Sequence, residues 1–453
     1  MRGMQVIVAA TGLAMCAGSS VAQFNPTQGQ WGKDDPNDIR VMTWNVRNAL
    51  SSGTFKADGN NPWGGITRIV SALKPDVLIM QECGDGDAVG TLQTVIDLFL
   101  HGGTDPFLGG TVTGYVQLHD PAFDMPYVYV SSAFDGFNRN VILSRYPFVD
   151  LNGDGKSTYP DSAFVTSTGT YAAGGTGGIR GFGFAEIDLP DATYAGDLVQ
   201  GFAHLKAGGL ADDLAQRLNA AKNVAYYVDY FYNGGGTGTV DPFNKISDFP
   251  AATSILDAST VVVMGGDWNE DEATNGRKGP AEWLTQAEFA GGTDGLDYDR
   301  TDSVYDAATD AIDGSTHSFG SSSKLDYLAW QDSKATARHE VIFDTRPLTT
   351  ISRPPELVGV TRYKDLSGDA SDHLCVFVDL ILDLAPSCMP CANVAAGGSA
   401  GTVDLTDLNL VLFNFGTSVT PGANGDTNCD GTVDLTDLNA VLFDFGSNVG
   451  CGP

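Results

Sequence analysis

The chain has 453 residues, 42% of them hydrophobic and only 18% charged, which is enough to bury a large core and excludes disorder throughout. A formal charge of −31 would repel nucleic acid and anionic membranes unless a local basic patch or bound cations intervene. The 56 glycines point to many loops, and so many carboxylates make a divalent metal a natural partner.

The first residues, "MRGMQVIVAATGLAMCAGSSVAQ", join a basic start, an apolar run and a small-residue exit at Ser20, Val21 and Ala22. That is the pattern of a secretory signal peptide over 1–22. A lipidated Cys16 is disfavoured by bulky Met15 in front of it. No later run is long and apolar enough to cross a bilayer, so a secreted chain without a membrane span is expected. Six cysteines follow: Cys83, Cys375, Cys388, Cys391, Cys429 and Cys451. Export favours disulfides among the last four, whose pairing stays open, while Cys83 and Cys375 read as buried thiols.

Between 39 and 384 the segments "IRVMTWNV", "DVLIMQE", "NVILSRYPF", "GFGFAEIDL", "LVQGFAHL", "TVVVMGGDW", "KLDYLAW" and "HLCVFVDLIL" read as strands. Helices are predicted over 62–73, 88–100 and 210–230. Many strands with few helices between them predict an α+β fold of stacked sheets flanked by helices.

Several of these strands end in groups a core would not tolerate. "VVVMGGDWNED" closes with Asp267, Asn269, Glu270 and Asp271; other ends carry Asn45, Glu82, His204, Asp326, Asp372 and His373. Carboxylates gathered in one place repel and lose hydration unless something neutralises them. A hard divalent cation such as Mg²⁺ (or Mn²⁺) does so with oxygen ligands and is completed by a substrate phosphate. A histidine beside a carboxylate holds one tautomer and a raised pKa, which suits proton abstraction.

In the order "TWN", "QE", "HLK", "GDWN", "LDY" and "SDH", the chain resembles the endonuclease/exonuclease/phosphatase superfamily, which includes DNase I-like nucleases, neutral sphingomyelinases and inositol polyphosphate phosphatases. The resemblance implies a four-layer sandwich of two β-sheets between helices. It implies Glu82 and Asn45 at the catalytic metal, with Asp372 reaching it directly or through water. It further implies Asp267 and Asn269 orienting the nucleophile, His373 activating water with Asp326 behind it, and His204 protonating the leaving group. Lys206 and Arg139 are candidate substrate-binding cations; Arg145 reads equally as a surface ion pair. His101, His119, His317 and His339 read as surface residues, with His317 left more open by its closeness to Asp326. One departure stands out: "QECGDGD" lacks the basic residue that follows the metal glutamate in the DNase I-like branch. The expected activity is a metal-dependent phosphodiester hydrolase of the nuclease type. The alternatives are a sphingomyelinase-like phosphodiesterase, an inositol or sugar phosphatase, or a non-catalytic scaffold-bound protein.

After Pro386 the composition shifts, which divides a domain at 36–386 from a module at 387–453. "GTVDLTDLNLVLFNFG" and "GTVDLTDLNAVLFDFG" are two copies of one helical unit. "DTNCDGTVDLTD" places Asp426, Asn428, Asp430, Thr432, Asp434 and Asp437 at calcium-loop spacing, with Gly431 at the sharp turn. The earlier copy aligns Ala396, Gly398 and Ala400 with the first ligand positions and keeps only Asp404 and Asp407, so a single Ca²⁺ is expected. This EF-hand-like duplication resembles a type I dockerin, which implies a cohesin-like partner on a scaffold or surface. "DLNGDGKSTYPD" repeats the spacing with Asp150, Asn152, Asp154 and Asp161; it reads either as a calcium loop without an exit helix, since Pro160 forbids one, or as a polar turn.

Overall fold

The computed structural model describes residues 24–84, 88–134, 138–160, 179–232, 256–286, 303–385, 391–395 and 401–449. The expected signal segment 1–22 lies outside them. Two compact units are present: Met1–Leu189 with Asp197–Leu382, and Pro190–Gly196 with Asp383–Pro453.

The strands of the first unit are β1 (Ile39–Asn45), β2 (Val77–Gln81), β3 (Tyr127–Phe134), β4 (Arg139–Ser144), β5 (Thr158–Pro160), β6 (Ile179–Ile187) and β7 (Leu198–Leu205). They continue with β8 (Val261–Asp267), β9 (Ser303–Tyr305), β10 (Thr309–Asp310), β11 (Asp326–Gln331), β12 (Ala335–Phe343) and β13 (Cys375–Leu382). Among the described residues they form two sheets, ordered β10-β12-β13-β1-β2-β4-β3 and β9-β11-β8-β7-β6-β5. The helices include α1 (Pro62–Leu73), α2 (Val89–His101), α3 (Ala211–Tyr226), α4 (Pro280–Gln286) and α5 (Leu366–Ala370), besides a single turn at Tyr115–His119. The fold is thus mixed α+β with two large sheets. Helix α1 begins where Asn61 accepts the Gly64 N–H and Pro62 takes the first position, and it ends at left-handed Lys74.

Period-two alternation assigns the faces. Met42 and Trp44 of β1 join a buried cluster with Ile66 and Ile69 of α1 and Phe99 of α2. Val262 and Met264 of β8 do the same with Val224 of α3 and Ala281 of α4. The opposite faces, carrying Asn45 and Asp267, therefore look toward each other. At Gly265 the sheets come so close that a Cβ would meet the Ile79 side chain of the other sheet at 2.8 Å, besides Leu328 of its own sheet at 2.6 Å. Gly266, at φ +146°, would drive a Cβ to 2.0 Å from the Ala203 carbonyl. The two glycines of "MGGDW" thus let β8 lie against β7 and β2 as Asp267 enters the space between the sheets.

Strands β3, β5, β9, β10 and β12 were not expected from sequence. Polar Arg338, His339 and Glu340 break the apolar pattern of β12, yet His339 Nδ1 lies 3.1 Å from buried Asp379 Oδ2, so it is no ordinary surface histidine. Cys83 and Cys375 are buried free thiols.

In the second unit, α6 (Leu405–Asn414) and α7 (Leu435–Asp444) carry the repeat. The copies bond reciprocally. Val403 N donates to Ser447 O (3.0 Å) and Val433 N to Thr417 O (3.0 Å), while Gly446 N and Gly416 N return bonds to Val403 O and Val433 O (2.8 and 2.7 Å). Val403, Val411, Val433 and Val441 form the core between them. Cys391 and Cys429 are in disulfides. Among the described residues, no helix is long and apolar enough to cross a membrane.

Candidate active site

The polar strand ends converge between the two sheets. Asp267 Oδ2 is the hub: Asn45 Nδ2 donates to it at 2.9 Å, and His204 Nε2 and His373 Nε2 lie 3.4 and 3.7 Å away. His204 Nε2 is also 3.7 Å from Glu82 Oε1. Asp326 Oδ2 lies 2.8 Å from His373 Nδ1 on the far side of the ring. Asn269 donates its N–H to Asp267 Oδ1 (3.0 Å) and its Nδ2 to Leu205 O (3.1 Å), tying the loop after β8 to the end of β7.

The backbone is contorted to make this possible. Arg47, Asn48, Glu82 and Asn269, each just past the end of β1, β2 or β8, have φ of +45°, +59°, +55° and +56°. Left-handed non-glycine residues cost energy and gather at functional sites. The three others described, Lys74, Asn424 and Cys429, sit at a helix end and in or beside the calcium-type loop.

Burial pushes the Asp267 carboxyl up, but the His373 and His204 imidazoles and Asn45 together hold it well below the usual range. Burial pulls the His373 imidazole down, yet Asp326 and Asp267 overcome it and push the ring up to about 10. Asp326 is itself pushed up by burial more than His373 lowers it. Both partners of one ion pair are therefore raised. The hydrogen bonds decide between them: Asp326 Oδ2 accepts from Ser318 and faces His373 Nδ1, which leaves the shared proton on the imidazole.

Donor atoms of Asp267, Asp326 and His373 lie within 4.8 Å of one another, so this buried group could hold a metal ion. Two further features suit a hard divalent cation. Among the described residues Asp326 Oδ1 is buried without a hydrogen-bond partner, and the Glu82 side chain, 17% exposed, opens the carboxylate-rich cluster to solvent.

Other expected residues are engaged differently. Asp372 is 38% exposed and its Oδ2 lies 3.5 Å from Arg47 Nη1. Arg139 is buried, and its Nη1 donates to Ser131 O and Ser132 O. Lys206 lies just past β7; its ammonium is 3.6 Å from Asp213 and donates to Ala207 O. Arg145 pairs with buried Asp76 at 2.8 Å. Glu270 and Asp271 leave the strand end: Glu270 is bound by Arg217 of α3 and by Arg277, and Asp271 accepts loop N–H groups from Ala273 and Lys324. Arg47, directly after "TWNV" and not singled out in the sequence, is 64% exposed beside Asp372.

Both calcium-type loops share one hydrogen-bond pattern. Asp426 Oδ1 accepts from Cys429 N and Asp430 N and its Oδ2 from Gly431 N; Asp150 Oδ1 accepts from Gly153 N and Asp154 N and its Oδ2 from Gly155 N. Asn428 and Asn152 likewise accept from Asp430 N and Asp154 N. Asp161 lies outside the described residues. Glu186 of β6 instead reaches the Asp150 loop, accepting from Leu151 N, and burial, with Asp154 and Asp150 nearby, pushes its carboxyl up to about 8.

The first copy of the repeat needs a new register. Asp437 Oδ1 accepts from Thr427 N (2.7 Å) and Asn428 N (3.3 Å), and Asp407 Oδ1 accepts from Val394 N and Ala395 N (both 2.8 Å). Asn393, not Ala396, therefore corresponds to Asp426; Ala396, Gly398 and Ala400 lie outside the described residues. Asp404 and Asp407 cap α6 reciprocally, as Asp434 and Asp437 cap α7, which accounts for their survival in the eroded copy.

No protein-family model and no curated protein matches the chain. Among solved structures it is similar to the human Nocturnin catalytic domain, at 15% identity over 76% of this chain and 95% of that chain, with a TM-score of 0.41. A humanized D. rerio TDP2 is 11% identical over 76% and 99% of the two chains, with a TM-score of 0.40. An endonuclease/exonuclease/phosphatase from Beutenbergia cavernae DSM 12333 is 20% identical over 76% and 72%, with a TM-score of 0.39.

Proposed function

We propose that the chain is an exported, divalent-metal-dependent phosphodiester hydrolase of the nuclease type, tethered through its second unit. The observation that carries this reading is the buried line from Asp326 through His373 to Asp267, set beside the open carboxylate of Glu82. Glu82 and Asn45 would hold Mg²⁺ or Mn²⁺, with Asp372 within reach of it directly or through water. A bound cation supplies charge neutralisation for the phosphate and counters the carboxylate field that keeps His373 protonated. His373 Nε2, its other nitrogen held by Asp326, takes the proton of the attacking water. Asp267 and Asn269 orient that water, His204 returns a proton to the leaving oxygen, and Arg47 meets the phosphate with a planar fork of donors.

The test is a panel of DNA, RNA, sphingomyelin and small phosphate esters, each with Mg²⁺ and then with chelator. Chelator-sensitive cleavage of nucleic acid is expected, as is a Mg²⁺-induced rise in melting temperature that Glu82→Ala loses. The charge of −31 and the apolar Cys83 after Glu82 favour a second reading, a sphingomyelinase-like enzyme or an inositol or sugar phosphatase. Cleavage confined to lipid or small esters selects it, and a panel without hydrolysis leaves a non-catalytic binding protein.

Calcium would occupy the Asp426 loop through Asp426, Asn428, Asp430, Thr432, Asp434 and Asp437, and the Asp150 loop through Asp150, Asn152 and Asp154 with Glu186 alongside. The tether is supported by apolar side chains left in water on both helices: Phe413 is 87% and Phe443 90% exposed, with Leu405, Leu412, Leu435 and Leu442 also uncovered. Calcium titration in excess Mg²⁺ should give two binding events, one lost in Asp426→Ala and the other in Asp150→Ala. Surface retention of the secreted chain should fall only in Asp426→Ala; a flat titration, or equal retention, defeats these assignments.

A further inference from the structure

We propose that Ser318 is a positioning residue that fixes the tautomer of His373 through Asp326, an inference that rests on the hydrolase reading above. Ser318 is fully buried in the segment before β11. Its hydroxyl has one proton to give and two lone pairs to receive with. Both lone pairs are occupied, since Oγ accepts the N–H of Leu325 at 2.9 Å and of Asp326 at 3.1 Å. The proton is thereby directed at Asp326 Oδ2, 2.7 Å away.

That oxygen is the one His373 Nδ1 approaches at 2.8 Å. The Ser318 hydroxyl favours the ionised form of that oxygen, which then accepts its second hydrogen bond from Nδ1, so Nδ1 carries the hydrogen of the pair. In the neutral ring the lone pair then falls on Nε2, which faces Asp267 Oδ2 at 3.7 Å. Water activation needs this tautomer, and a hydroxyl two bonds removed from the ring imposes it.

Ser318 is also stitched to the backbone it serves. Leu374 N donates to Ser318 O at 2.6 Å, Phe319 pairs with His373, and the two rings lie 4.7 Å apart. His317, the neighbour that sequence reading left open, turns instead to Arg346 at 3.2 Å.

The experiment compares Ser318→Ala with Ser318→Thr, which keeps the hydroxyl, in the full chain. The His373 ring is followed by ¹H–¹⁵N NMR and turnover is measured on whichever panel substrate the wild type cleaves. With Mg²⁺ present to counter the carboxylate field on the ring, wild type and Ser318→Thr should share one Nδ1–H tautomer with a far-downfield proton, while Ser318→Ala should shift or lose that signal. In Ser318→Ala kcat should fall about tenfold or more at unchanged KM. Adding Ser318→Ala to Asp326→Ala should cost nothing further. If alanine unfolds the segment, Ser318→Cys, a poor donor of similar size, takes its place. Wild-type kcat and ring spectrum in the alanine variant, or a loss of melting temperature alone, overturn the proposal. Should the wild type cleave nothing, the hydrolase reading fails, and the ring spectrum still decides the role of Ser318.

Discussion

His373→Asn is expected to lower kcat by about 10²–10⁴-fold while the protein stays folded. The asparagine Nδ2 can replace imidazole Nδ1 as donor to Asp326, so the buried carboxylate keeps its partner. What disappears is Nε2, the nitrogen that faces Asp267 and can take a proton from water. Alanine at 373 is a poorer probe, because it leaves Asp326 and Asp267 buried without the cation between them. Asp267→Ala should be equally inactive for a different reason, since Asn45, His204 and His373 all lose the oxygen around which they are arranged. Steady-state kinetics on the substrate identified by the panel, with circular dichroism on each variant, checks both. A His373→Asn protein retaining a tenth of wild-type kcat would remove His373 from the chemistry.

The largest effect on stability is expected at Asp379→Ala, far from the reaction. Asp379 Oδ1 and Oδ2 accept from Arg40 Nε and Nη2 at 2.6 and 2.8 Å, with both side chains buried. Arg40 Nη1 donates to Trp31 O and Leu73 O, and its guanidinium lies 4.4 Å over the Phe377 ring. Removing the carboxylate strands a buried cation, which costs about 3–5 kcal/mol and roughly 10 °C in melting temperature. The same pair predicts a pH dependence. Burial raises the Asp379 carboxyl, but Arg40 and His339 outweigh it and hold it at about 2. The unfolded value is near 3.9, so the folded pKa is depressed. Its contribution is full above about pH 4 and is lost as pH falls through 2. Urea melts at pH 5, 3 and 2 should therefore show the gap between wild type and Asp379→Ala narrowing with acid. A gap independent of pH would mean that Asp379 is not ionised against Arg40.

Much of the strand framework was legible because apolar runs of period two end abruptly in charge, as at Asn45, Glu82, Asp267 and Asp326. The helix over 62–73 was legible for a similar local reason: asparagine, proline and a spaced apolar face lie within one stretch. Strand β12 was hidden because Arg338, His339 and Glu340 interrupt its pattern, and their partners Asp38, Asp379 and Ala307 N are distant in the chain.

Spacing along the chain, by itself, determined that polar groups terminate core strands and that a helical unit is duplicated, with an intact calcium-type loop ahead of the second copy only. Only the closed sheets decided which oxygens meet. Asp267 and Asn269 turn inward while Glu270, one residue on, is drawn to Arg217, 53 residues earlier. They also decided that Arg47 lies beside Asp372 while Arg139 donates to Ser131 O and Ser132 O, that Glu186 joins Asp150, and that Ser318 backs Asp326. The reason is physical: periodicity and turn chemistry act over a few residues, whereas a charge's partner is settled by which distant backbone happens to lie within 3 Å of it once the core has closed.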